Sequence, residues 1–475
     1  MHKRQQYCRI MFGIYSDGLC AKANGRNSRM LPIVAVPGTI MNGFAGYRDV
    51  FCRDEGFDHV SRYVTGLIIS PNKTLQGIYD LQYWEDKKPS RRSMHESVFE
   101  SGWGSDNLIQ QHRAIVAPDH RGRGREVISL DWTFSHHDRG TEIYGNTKSY
   151  DYVEGRSGQF QTLVTAVVSN DTLIDGLDVV VQEPSNQKEE MAYLKETARE
   201  SYDQMEGVSN RLLELLHYLK HERQYKKRTE IALELVRQIE QEGNFPEANY
   251  AFDNGVLSLE LTKFIETHGK HWVSEIECSR NIQWYGSWIR VDVLAAELKG
   301  DHSESFRPYK VRCRNGETKD YWAFTKVVRL KRYGRKRLVI VHETADLSDP
   351  PRFLLTDANH WNSGKTIQTW SYRWASEIFH EFTKQMAGLE SSQVRKEEAV
   401  KRHFRLSCVS QSLIQRASAP VSKSEKFEFA KGEITFGQRC RTIAREVFRS
   451  MLKLSQRLFS EGNSCDEILD MLMPA

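Results

Sequence analysis

Long hydrophobic runs are missing from this sequence. No apolar stretch of about 18 residues, the minimum for a membrane-crossing helix, occurs in its 475 residues. Cysteine is sparse and unpatterned. The eight cysteines contain no C-x-x-C pair, and their spacing matches neither a zinc module nor a disulfide framework. Reduced thiols in a cytosolic protein are the expectation. A dominant charge sign is lacking too, because 67 Lys and Arg stand against 63 Asp and Glu, a net of +4. The first twenty residues are basic but have no sustained apolar core and no small-residue cleavage site, so a secretory signal is not expected. Repeats and low-complexity tracts are also absent.

What is present is a polar, foldable composition. Charged residues make up 27% and hydrophobic residues 39%, with a mean hydropathy of −0.59, well clear of disordered chains. The length suits about two to four domains. Residues 1–118 read as mostly helical. Within them, Ser70-Pro71 separates a helical segment from NKTLQGIYDLQ, with serine as N-cap and proline at the first helical position, an arrangement similar to a helix-turn-helix. RGRGR at 121–125 reads as a linker. It has Gly-x-Gly spacing but no following helix, so a phosphate loop is not expected.

Short β-branched apolar runs then predict strands at EVISLDWT (126–133), FQTLVTAVVS (160–169), LDVVVQ (177–182), ANYAFD (248–253) and KHWVSEIE (270–277). The first three suggest an antiparallel meander. Residues 186–244 read as helical throughout, and strands meeting helices in this order describe an α/β layer. Residues 279–355 alternate and carry turn residues, which predicts an all-β insertion. A helix from about 365 to 389 and further helical sequence complete the chain. Charge is concentrated in the insertion. Between Lys310 and Ile340 eleven basic residues face only Glu317 and Asp320, and Lys331, Arg332, Arg335, Lys336 and Arg337 form its densest part. An extended anionic partner fits this surplus, and nucleic acid leads.

Three elements suggest chemistry. Asp131 is expected at the end of one buried strand and Asp253 at the end of another, although Asp253-Asn254-Gly255 is also ordinary turn chemistry. Adjacent strands would bring the two aspartates together, and paired carboxylates repel unless a hard cation such as Mg²⁺ or Mn²⁺ lies between them. The third is the helix holding Arg373, Glu377, Glu381 and Lys384, which fall within roughly 80° of one another on its surface. His136-His137-Asp138 is not expected to share one metal, because adjacent residues of an extended chain point to opposite sides.

Together, Asp131-Trp132-Thr133, Asp253 and the run Trp370-Ser371-Tyr372-Arg373-x3-Glu377-x6-Lys384 resemble the DDE transposases of bacterial insertion sequences. That branch carries Tyr-x2-Arg-x3-Glu-x6-Lys, and here tryptophan stands at the tyrosine position. The resemblance covers roughly residues 90–410. It implies an RNase H-like core with a mixed five-stranded sheet, in two parts (119–278 and 356–400). Around it would lie a helical DNA-binding domain (1–118), the β insertion (279–355) and a helical C-terminal region (401–475).

By position, the resemblance makes Asp131, Asp253 and Glu377 ligands of two Mg²⁺ ions, and Mn²⁺ can substitute. Arg373 and Lys384 would contact end phosphates. Trp370 or Tyr372 would stack on a flipped base, with Trp284, Trp288 and Trp322 as alternatives. Glu381 competes with Glu377, and spacing favours Glu377. The implied function is cut-and-paste transposition by a homodimer on double-stranded DNA, both terminal inverted repeats and target. The implied setting is the bacterial cytoplasm, at the nucleoid. An RNase H-like nuclease without strand transfer and an inactive DNA-binding descendant remain alternatives.

Overall fold

Twelve strands join into one open mixed sheet in the computed structural model. It describes residues 31–183, 208–217, 225–419 and 434–473, apart from 86–87, 138–139, 152–153 and 315, together with the single positions 196 and 199. The strands are β1 (Val127–His136), β2 (Asn146–Asp151), β3 (Arg156–Ser169), β4 (Ile174–Val181), β5 (Asn249–Phe252), β6 (Trp272–Glu275), β7 (Asn281–Trp284), β8 (Ser287–Arg290), β9 (Arg307–Arg312), β10 (Thr318–Leu330), β11 (Gly334–His342) and β12 (Arg352–Thr356). The longer helices are α1 (Asp54–Ile69), α2 (Ser105–His120), α3 (Val208–His217), α4 (Arg228–Glu242), α5 (Leu259–Thr267), α6 (Val291–Asp301), α7 (Ser363–Ser371), α8 (Trp374–Met386), α9 (Glu397–Arg416), α10 (Phe436–Ser460) and α11 (Cys465–Leu472).

The β1, β3 and β4 runs form the expected antiparallel meander. β5 lies parallel to β1, and β6 lies parallel to β5. These strands are buried on both faces, which is why they read as nearly continuous apolar runs. One face packs on α4, α5 and α6 through Leu130, Phe252, Trp272 and Leu294. The other carries α7 and α8, with Val273, Leu354 and Ile367 in one cluster and Val167, Phe379 and Phe382 in another.

Several expectations need correction. The sheet does not stop at five strands, because β12 pairs antiparallel with β6 and continues it into β11 and β10. The insertion is not all-β, since α6 lies within it and buries Val291, Leu294, Ala295 and Leu298. The expected helix from 365 to 389 is two helices. At the break, the N–H groups of Arg373 and Ala375 reach back three residues, to Trp370 O and Tyr372 O at 3.0 Å each, a local 3₁₀ tightening. Ser70 does not cap the second helix: it ends α1, and Thr74 caps the six-residue helix Leu75–Asp80 by accepting from Gly77 N at 3.1 Å. Pro118 lies inside α2, and the arginine run at 121–125 is a tight connection into β1. The stretch expected to be helical from 186 to 244 contains α3 and α4, and its positions 186–195, 197–198, 200–207 and 218–224 lie outside the described residues.

Below β4 sits a helical layer in which α9 is central and packs on α1, α2 and β4. α9 starts at 397, across the boundary expected at 400. Among the described residues, no helix is long and apolar enough to cross a membrane.

Candidate active site

Strand register brings the two aspartates together. Leu130 pairs with Phe252 across the parallel β1–β5 ladder, so the next residues, Asp131 and Asp253, stand side by side about 4.8 Å apart along the hydrogen-bonding direction. Asp131 is not at the end of β1, which runs on to His136. It lies where β5 stops and leaves its flank open. Alternation puts Asp131 on the same face as Ser129, whose hydroxyl takes a 2.6 Å hydrogen bond from Ser376 of α8. That contact fixes α8 over the aspartates.

The helix break then matters. It turns Arg373, 8% exposed, toward the sheet. There its Nη1 lies 3.3 Å from Asp131 Oδ2 and its Nη2 lies 2.6 Å from Glu377 Oε1. Asp253 is close enough for its charge to act on both Asp131 and Arg373. The remaining contacts are sparse. Asp131 Oδ1 takes the N–H of Trp132 at 2.8 Å, and Asp253 Oδ1 takes that of Gly255 at 3.0 Å. The second contact is the expected turn cap, and it leaves Asp253 Oδ2 without a hydrogen bond among the described residues. Gly255 is required there, because a Cβ would lie 2.1 Å from the Trp132 ring.

Electrostatics set Asp131 apart. Burial pushes its carboxyl up, the Arg373 guanidinium pulls it down, and the charges of Asp253 and Glu377 raise it again; the result is about 7. One guanidinium among three carboxylates is insufficient compensation. Nearby His380 is held neutral by burial, down to about 3, and its Nε2 bonds Thr165 Oγ1 at 2.8 Å.

The other expected residues divide. Trp370 is half-buried beneath the Arg352 guanidinium, 5.1 Å from the ring centre. Tyr372 is 1% exposed and donates its hydroxyl to Asp171, so it is not available for stacking on a base. Lys384 donates to Phe134 O at 2.6 Å and pairs with Glu390 at 2.9 Å, away from the carboxylates. Glu381 accepts from Gln385 at 3.3 Å, one turn further along α8. Lys331, Arg332 and Arg335 are exposed at the β10–β11 turn. Lys336 pairs with Glu266 at 3.1 Å, and Arg337 donates to Asn359 O at 3.0 Å, so both have partners within the chain.

Register also identifies residues that the sequence reading missed. Phe252 pairs with Ser274, which places Glu275 beside Asp253 as a further carboxylate on the same face. The alternation of Ser274-Glu275-Ile276 was the available signal. The successive pairs Ser129–Ala251, Ala251–Val273, Val273–Thr356 and Thr356–Arg337 run across the sheet, so Arg337, and by alternation Arg335, project from the carboxylate face. A second group could hold a metal. Ligand atoms of His136, Asp151 and Glu154 lie within 4.8 Å of one another. His137 turns the other way, to Gln161 at 2.9 Å, and Asp138 lies outside the described residues.

No protein-family model and no curated protein sequence matches the chain.

Proposed function

We propose that the chain is a DDE-type DNA transposase with an RNase H-like core, cutting at transposon ends and joining the freed strands to target DNA. The observation that carries this reading is that Asp131 of β1 and Glu377 of α8 meet on one guanidinium, with Asp253, just after β5, near enough for its charge to act on Asp131 and Arg373. Three oxygen-donor side chains with a carboxyl raised to about 7 suit a hard divalent cation, Mg²⁺ or Mn²⁺, whose charge relieves their repulsion. Asp131, Asp253 and Glu377 would hold such ions, which would supply activation of water or a DNA 3′-hydroxyl and charge stabilisation of the leaving oxygen in displacement at phosphorus.

The residues have separate tasks. Asp131 and Asp253 hold fixed positions on the sheet. Glu377 rides on α8 and swings only if Arg373 releases it. Arg373 offsets part of the carboxylate charge, and with a cation in place it would be available to a phosphate, for which its planar fork is suited. Asp131 must lose its proton before it can ligate. The exposed Lys331, Arg332 and Arg335 would contact the backbone of double-stranded DNA. Two ends must be held at once, which implies a homodimer on DNA.

The test is nicking of supercoiled plasmid in Mg²⁺ or Mn²⁺ by the full chain, beside its Asp131→Asn, Asp253→Asn and Glu377→Gln forms. Metal-dependent nicking that all three substitutions abolish is expected. Joining of a labelled oligonucleotide 3′ end to the plasmid separates a transposase from a nuclease that only cuts. Duplex binding with neither reaction would mark an inactive descendant and overturn the proposal.

A further inference from the structure

A second charged cluster lies toward the opposite end of the same sheet and shares no residue with the carboxylates. Arg125 stands two residues before β1, Arg314 is in the β9–β10 turn, and Asn170-Asp171 form the β3–β4 turn. The last turn of α7 closes the group with Gln368 and Thr369. Six residues of extended chain separate Arg125 from Asp131, about 20 Å.

Both guanidiniums are half-buried, and both are held by neutral acceptors. Arg125 donates to Thr369 Oγ1 and to Gln368 Oε1, each at 3.0 Å, while its buried Nε has no acceptor. Arg314 donates to Asn170 O at 3.3 Å. Among the described residues neither forms an ion pair. The nearest anion, Asp171, already accepts the Tyr372 hydroxyl. A third cation, Lys365, is near enough for the Arg125 charge to lower its pKa, after the larger effect of burial. Burial also lowers both arginines, Arg314 to about 10, and Asp171 offsets only part of it.

Half-buried positive charge without an ion-pair partner is unfavourable, and the guanidinium group matches tetrahedral oxyanions. We propose that Arg125 and Arg314, with Lys365 at the rim, form a phosphate-binding site that takes either a backbone phosphate of DNA or a free phosphate group. The site uses side chains, so the missing helix after the Gly-x-Gly run does not count against it.

The experiment uses the full chain. Inorganic phosphate should raise the melting temperature of the unaltered protein and bind with a measurable constant by calorimetry. Binding should weaken by about tenfold or more in Arg125→Gln/Arg314→Gln. Arg125→Lys/Arg314→Lys, which keeps the charge, should retain part of it. Duplex anisotropy against salt then identifies the source. If the phosphate belongs to DNA, the double glutamine variant lowers the slope of log K on log salt by about one to two. An unchanged slope with lost phosphate binding assigns the site to free phosphate. Absence of any phosphate effect on the unaltered protein overturns the proposal, even if the glutamine variant fails to fold. So does equal phosphate binding by the unaltered and double-glutamine proteins.

Discussion

Asp131 and the pair Asp175 and Asp178 are buried aspartates of the same sheet, yet their surroundings work in opposite directions. In β4, burial pushes Asp175 and Asp178 up, but cations more than offset it. Arg416 and His120 hold Asp175, with contacts of 2.7 and 2.8 Å, and Arg405 grips Asp178 at 3.0 and 3.1 Å. Asp175 ends well below the usual carboxylate range, and Asp178 ends below its ordinary value. Asp131 has one guanidinium at 3.3 Å, shared with Glu377, and two carboxylate neighbours, and it ends near 7. A structural aspartate is matched to its cations when the chain folds. An aspartate left short of positive charge is a candidate place for a cation from outside.

The comparison breaks most sharply in activity. Asp131→Asn, Asp253→Asn or Glu377→Gln should each cost at least about 10³-fold in metal-dependent strand cleavage, since several kcal/mol of charge stabilisation is lost. Their far-ultraviolet dichroism should be unchanged. Asp178→Ala should do the reverse. It takes the buried partner from Arg405, which is 6% exposed and keeps only Ser105 and the exposed Asp106, and should destabilise the fold by roughly 3 kcal/mol, while cleavage per folded molecule is retained. Urea denaturation beside cleavage assays measures both. Equal activity losses at the two positions would dissolve the distinction.

The pH dependence sharpens it. The unfolded Asp131 carboxyl takes its ordinary value, and the folded one is raised to about 7 from 3.8. A raised pKa means that the folded state keeps a proton the unfolded chain has released. Its contribution is therefore complete below pH 4 and is lost as pH rises through 7. In chelator, Asp131→Asn should be about 2–4 kcal/mol more stable relative to the unaltered protein at pH 8 than at pH 4. Added Mg²⁺ should close that gap at pH 8, because only the unaltered site binds it strongly. A difference independent of pH would mean that Asp131 is as well compensated as Asp175.

Sequence alone carried the strands that hold the site, because β1, β3 and β4 are dense in Val, Ile and Leu, while the short β5 and β6 carry Tyr250, Phe252, Trp272 and Val273. The edge strand β2, NTKSYD, has no apolar signal and was missed. α6 was lost among alternating neighbours. The break at Tyr372–Arg373 was invisible because the 3.6-residue pattern of buried side chains continues across it. That break buries Tyr372 and turns Arg373 inward, so a residue expected on DNA instead bridges two carboxylates. Spacing could place Asp131, Asp253 and Glu377 on elements that meet, but it could not show how few cations surround them.

The smallest expected effect separates Glu377 from Glu381. Both lie on the stripe of α8 that also carries Lys384, and side-chain type does not distinguish them. Their surroundings do. Glu377 binds Arg373 at 2.6 Å and adds to the charge on Asp131. Glu381 meets Gln385 at 3.3 Å, one turn further along the helix. Glu381→Gln should change stability by less than about 0.5 kcal/mol and leave cleavage within about twofold. Glu377→Gln frees Arg373 from one partner and removes a candidate ligand. If Glu381→Gln abolished cleavage while Glu377→Gln did not, α8 would have to slide by about one turn, roughly 6 Å, when DNA binds, and the third carboxylate would be Glu381.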